Sequence, residues 1–140
     1  MKSLEWLSGL LEGEGCFTYQ RSGTGVYRTP LVALGMTDHD VVDGAREVFE
    51  RLGNRICRLH RRRLPSGKIA FDLRVTGLPA AQIMYAVLPY LGIRRAAKVR
   101  EILAAWKPIK YQEIVRAFAQ KGVFGGGTYR LFFGARPREK

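Results

Sequence analysis

The chain has 140 residues, 46% of them apolar, and its 24 Lys and Arg against 12 Asp and Glu give a formal charge of +12. That length suits one domain with a real core, and the composition excludes wholesale disorder. No apolar run reaches the roughly 18 residues that a membrane span needs, and a pI near 10.3 points to polyanions, nucleic acid first, against the plainer reading of a generic basic surface.

Leu4, Leu7, Leu10 and Leu11 recur at helical spacing, so residues 3–13 are expected to form a helix. Glu5 interrupts the apolar stretch that a secretory signal would need. The expected location is therefore cytoplasmic or nucleoid-associated, with an organelle as the alternative, and not secreted. Residues 16–22, "CFTYQRS", alternate and favour a strand. "SGTG" is turn chemistry, and residues 27–37 read as a second strand with Pro30 near its start. Thr37 or Asp38 is placed to cap a helix whose apolar stripe runs through Val41, Val42, Ala45, Val48, Phe49 and Leu52, with Gly53 as its stop.

The pattern then repeats. Residues 55–63, "RICRLHRRR", alternate; "LPSGK" turns; residues 69–76 alternate strictly. Residues 78–92 are helical to about Val87, where Pro89 ends the run, and residues 94–106 form another helix. A short helix over 111–119, a glycine run and a basic tail complete the chain. That glycine run lacks the GK[ST] of a phosphate loop and reads as a hinge or turn. Cys16 and Cys57 form no CxxC or metal spacing and are expected to be reduced and mostly buried.

This order, αββαββα, is an α+β fold: helices on one face of an antiparallel four-stranded sheet, with C-terminal helical additions. Residues 1–106 form the core, and 107–140 an extension. If Cys57, Leu59, Ile69, Phe71, Leu73 and Val75 face the helices, then Arg58, His60 and Arg62, with Lys68, Ala70, Asp72 and Arg74, face outward. Phe17 and Tyr19 inward leave Thr18, Gln20 and Ser22 outward. A two-stranded ribbon fits the DNA major groove, where Arg and Gln are the usual readers of guanine and adenine. The plainer alternative for "HRRR" is a solvated strand end.

The end of the first helix, "WLSGLLEGEG", is unusual. Glycine costs roughly 1 kcal/mol against alanine in a helix interior, and acids at a helix C-terminus oppose its dipole. Gly9 and Gly13 share a face, where small residues let two helices approach closely. Glu12 and Glu14 would then emerge together, and a divalent cation would relieve their repulsion. The alternative is a loose glycine cap and two solvated acids.

Residues 7–15, "LSGLLEGEG", resemble the motif of the LAGLIDADG homing endonucleases. Leu7, Gly9, Leu10 and Gly15 are identical to its namesake; Ser8, Leu11 and Gly13 are small or aliphatic replacements, and Glu12 and Glu14 stand for the two Asp. The resemblance, with its element order, covers residues 1–106. It implies a divalent-metal-dependent DNA endonuclease (a phosphodiester hydrolase) with Mg²⁺ or Mn²⁺ held by Glu14 and the Gly13 carbonyl. It also implies Asp38 near the active site and a basic residue, Arg94 or Arg95, supporting the transition-state charge. Many family members have Lys there. Arg stabilises charge but is no base. Leu7, Gly9, Leu10 and Gly13 would form the helix interface. With one motif copy, the second helix must come from a second chain, so a homodimer on a roughly palindromic double-stranded DNA target is expected. The alternatives are a non-cleaving sequence-specific DNA-binding regulator, or an intron RNA maturase whose partner is RNA.

Overall fold

The computed structural model describes residues 1–21 and 28–106. Ser22, the 22–25 turn, the 111–119 helix, the glycine run and the basic tail lie outside the described residues.

The fold begins with α1 (Leu4–Glu14), β1 (Gly15–Arg21) and β2 (Arg28–Met36), followed by α2 (His39–Gly53). Then come β3 (Leu59–Arg63), β4 (Ile69–Thr76), α3 (Gly77–Val87), a 3-10 turn (Leu88–Tyr90) and α4 (Ile93–Ala105). The expected αββαββα order stands, and the strands form one antiparallel sheet in the order β1-β2-β4-β3. The two hairpins thus meet along β2 and β4. No helix among the described residues is long and apolar enough to cross a membrane.

The helices cover one face of the sheet. Inward rows cross it at Phe17, Val32 and Val75, and at Leu34, Leu73 and Leu59. Val32 and Leu73 at the centre are wholly buried beneath α3, in which Ala80 through Val87 are all buried. Each such aliphatic burial stabilises by about 1.5–3 kcal/mol. The long apolar run of α3 is thus a central core helix, not an amphipathic surface one.

Each helix end has an identifiable cause. Ser3 caps α1, its Oγ accepting from the Trp6 amide at 3.0 Å. Asp38 holds the N-cap position of α2 without a capping side-chain bond. Gly53, expected to stop α2, is its last helical residue, and Asn54 takes the left-handed conformation (φ 52°) that ends it. The glycine serves packing instead: a Cβ there would lie 2.9 Å from the Pro79 Cβ on α3. Buried Gln82, oriented by its neighbours, donates to the Leu52 and Gly53 carbonyls at 3.2 and 3.1 Å and satisfies the same helix end.

The third strand is shorter than the alternation predicts. It begins at Leu59, so Arg58 and Cys57 precede the ladder. Extending the β3–β4 register by one pair would set Arg58 opposite Arg74, and like charges directly opposite destabilise a sheet. The segment is held to α2 instead, where Glu50 accepts from the Cys57 amide at 3.0 Å. Lys68 likewise lies in the hairpin turn, its carbonyl accepting from the Leu64 amide at 2.8 Å. Ile69, expected against the helices, is 40% exposed at the strand's end.

Candidate nucleic-acid interface

The opposite face of the sheet is left uncovered by the described helices. Alternation and register place Cys16, Thr18 and Gln20 of β1 there, beside Ala33 and Gly35 of β2, Ala70, Asp72 and Arg74 of β4, and His60 and Arg62 of β3. Side-chain bonds agree. Arg74 Nη2 donates to Gln20 Oε1 at 3.4 Å, spanning β2, and Cys16 Sγ contacts Thr18 Oγ1 at 3.1 Å. Cys16 is therefore exposed, and Cys57 half-buried, where both thiols were expected mostly buried. The reason is parity: Cys16 sits two residues before outward Thr18. Burial pushes the Cys57 thiol pKa up.

An open groove of about 410 Å³ runs along this face, lined by Glu14, Cys16, Ala33, Leu34, Gly35, Arg62, Asp72 and Arg74. It brings together one motif acid and three of the sheet residues expected to meet nucleic acid. Its charge is more balanced than the alternation suggests. Asp72, half-buried, accepts from Arg62 Nε at 2.9 Å and from Nη2 at 3.3 Å. That pairing raises the Arg62 pKa above its ordinary value. Among the described residues Arg74 has no such carboxylate partner, its bond being to Gln20, and Arg58 and Lys68 are exposed beside the ladder.

The two motif acids have separate surroundings. Helix positions two apart point about 200° from each other. Glu14 is exposed on the groove, whereas Glu12 reaches Gly92, at the start of α4, and accepts its amide at 3.1 Å. An acid at the negative end of α1 thus sits at the positive end of α4. Arg95 completes the junction by donating from Nη1 to the Gly15 carbonyl at 2.6 Å, placing a cation at the end of α1. Arg95 is tied to the backbone, and Arg94 is the exposed neighbour. Gly15 is required sterically, since a Cβ there would lie 2.7 Å from the Leu11 carbonyl oxygen.

Asp38 and Arg94 do not line the groove with Glu14: each is exposed at the start of its own helix. Nor is Leu7 at a surface. It is wholly buried in this chain's core, because it shares the inner side of α1 with Ser8 and Leu11. Gly9 and Gly13 are exposed, and a Cβ at either would meet nothing within 4 Å; Leu10 is half-buried beside them. Gly35, which sequence reasoning passed over, lies opposite Asp72 and opens room for its carboxylate. The signal for it was the register between the hairpins, which no single strand carries.

Among the described residues, no group of three or more His, Cys, Asp or Glu side chains could hold a metal ion. Among the described residues, one chain offers the Glu14 carboxylate and the Gly13 carbonyl in the last turn of α1, where the helix pattern supplies no donor beyond the Gly15 amide that Leu11 accepts. Magnesium keeps several waters and is commonly bound through one or two carboxylates. Carboxylate and carbonyl oxygens are the donors a hard cation takes, and one chain supplies fewer of them here than such a cation needs. No protein-family model matches the chain, and neither does any curated protein.

Proposed function

We propose that the chain is one subunit of a homodimeric, divalent-metal-dependent endonuclease that cuts double-stranded DNA at a specific, roughly palindromic site. The observation that carries this reading is the placement of the motif acid Glu14 on the same groove as the outward sheet residues Arg62, Asp72 and Arg74. The motif resemblance supports it.

In this reading the uncovered sheet face lies along the major groove. Thr18, Gln20, His60, Arg62 and Arg74 present donors and acceptors to base edges, with Arg58 and Lys68 on phosphates. Doubling a charge of +12 in the dimer gives many phosphate contacts and a steep salt dependence. Glu14 and the Gly13 carbonyl from each subunit would hold Mg²⁺ or Mn²⁺, which when bound activates water and offsets charge on the departing oxygen. Arg94, exposed at the start of α4 and off the groove wall, is permanently cationic, and its support of charge at the cut rests on the resemblance alone. The resemblance also brings Asp38 toward the site, although it is exposed at the start of α2 and does not line the groove.

The test is incubation with a library of duplexes in Mg²⁺ and in Ca²⁺. Paired cuts in Mg²⁺, with binding alone in Ca²⁺, are expected. Binding without cutting in any divalent metal would mark a DNA-binding regulator. Binding confined to structured RNA would mark a maturase.

A further inference from the structure

Arg62 and Asp72 face each other on the open sheet, and their geometry is specific. The carboxylate takes Arg62 Nε at 2.9 Å and Nη2 at 3.3 Å, so it occupies one side of the guanidinium. A guanidinium has five donors in a fixed fork. Two are used here, and among the described residues the end-on edge, carrying one hydrogen of Nη1 and one of Nη2, has no partner. Two parallel donors of that kind match guanine O6 and N7, the usual bidentate target of arginine in the major groove. Asp72 is half-buried in the groove, with a side-chain exposure of 24% against 58% for Arg62. The acid is thus the fixed member and the arginine the presented one.

The backbone is built around this pair. Gly35 is the partner of Asp72 across the β2–β4 ladder, and a Cβ at Gly35 would overlap Asp72 Oδ1. Arg62 Nη2 also passes 3.9 Å from that Cβ position. A side chain at residue 35 would meet that carboxylate and force it to shift from its present place beside Arg62. On a face meant only to attract phosphate, an acid here would be a disadvantage. It weakens the field and repels the backbone of DNA. Its gain is orientational, since a held guanidinium loses less freedom on binding and presents one geometry.

We propose that Asp72 is the specificity-determining positioning residue of this face: it holds Arg62 so that the free guanidinium edge reads one base pair in each half-site. This rests on the DNA-binding reading above. Without Asp72, Arg62 swings toward phosphate. Base preference at that position is lost while general affinity is kept or rises.

The experiment is selection from a randomised duplex library in Ca²⁺, with full-length wild type, Asp72→Asn, Gly35→Ala and Arg62→Ala. Mixed-sequence duplex binding against salt and thermal melting run in parallel. Asp72→Asn keeps the shape and removes the charge. Its preference at one position per half-site is expected to fall by about five- to one-hundredfold, the worth of a bidentate base contact. Arg62→Ala is expected to lose preference at that same position. Gly35→Ala, which displaces the acid from the backbone side, is expected to match Asp72→Asn. The salt slope on mixed-sequence duplex is expected to steepen by about two for the Asp72→Asn dimer, about one per subunit, as each Arg62 gains a phosphate. A merely structural Asp72 would lower the melting temperature and affinity for all sequences without erasing one position. An Asp72→Asn consensus equal to wild type at every position overturns the proposal and leaves the DNA reading intact. Wild type that binds no duplex overturns both.

Discussion

The Glu12 carboxylate accepts the Gly92 amide at 3.1 Å, joining the end of α1 to the start of α4 across 80 residues of chain. This contact explains why one acid of the pair tolerates a helix C-terminus. Glu12→Ala removes an exposed charge-assisted bond and the dipole match, and is expected to cost about 1 kcal/mol of stability. The measurement is thermal or urea unfolding of Glu12→Ala. DNA cutting per folded molecule should stay near wild type. A large loss of cutting with unchanged stability would move Glu12 from the scaffold into the chemistry.

Among the described residues Glu14 has no such structural bond, and it opens onto the groove. Glu14→Gln is expected to abolish cleavage, because an amide holds a hard cation poorly, and to keep specific binding, because the sheet is untouched. Affinity without metal should rise slightly as a carboxylate leaves the phosphates. Paired gel-shift and cleavage assays on one selected duplex read both. Cutting by Glu14→Gln at the wild-type rate would remove Glu14 from the metal site.

Hydrophobic periodicity was enough to read the fold, because alternation and helical spacing are local. Phe17, Val32, Leu73 and Val75 lie inward, and His60, Arg62 and Arg74 outward, as their spacing requires. Contacts between distant elements were not legible. No local pattern says that Arg58 would oppose Arg74 and so ends β3 at Leu59, that Gly53 admits Pro79, or that Asp72 neutralises Arg62 across a hairpin. Leu7 shows the same limit from the other side. The resemblance assigned it to an interface with a partner, whereas its position on the inner side of α1 buries it in its own core. Asp38 and Arg94 sit at the starts of α2 and α4, and neither is among the residues that line the groove.

Glu50 links stability to pH. It accepts from the Cys57 amide at 3.0 Å and from Arg46 Nη1 at 2.8 Å, and the Cys57 bond and then Arg46 hold its pKa below the ordinary 4.5. Asp43, held by Arg46 Nε at 2.7 Å, is lowered from 3.8 in the same way. A carboxylate with a depressed folded pKa contributes stability above its unfolded value, and that contribution is lost as pH falls through the folded one. Wild type should therefore lose stability as pH drops below about 4.5. Glu50→Gln should be less stable near neutrality and show a flatter acid limb. Unfolding midpoints across acidic pH check this, and an acid limb as steep in Glu50→Gln as in wild type would clear Glu50 of the effect.

Gly9 and Gly13 decide whether α1 has a partner. Both are exposed, and among the described residues a Cβ on either would meet nothing within 4 Å. Within a single chain they are therefore a net cost of roughly 1 kcal/mol each against alanine, since no close packing offsets it. A second α1 laid against them would supply that packing, because small residues four apart let two helix backbones approach. The double variant Gly9→Ala/Gly13→Ala separates the two cases by moving two quantities in opposite directions. The monomeric chain is expected to gain roughly 1–2 kcal/mol of stability, read by unfolding at high dilution. The dimer is expected to weaken, read as a shift to monomer mass in sedimentation at micromolar concentration, with DNA cutting lost in parallel. Gly9→Leu should separate the subunits more completely, since four heavy atoms replace a hydrogen on the shared face. A double variant that gains stability yet keeps dimer mass and cutting would place the dimer contact elsewhere on the molecule. A wild type that is monomeric and still cuts would remove the need for one.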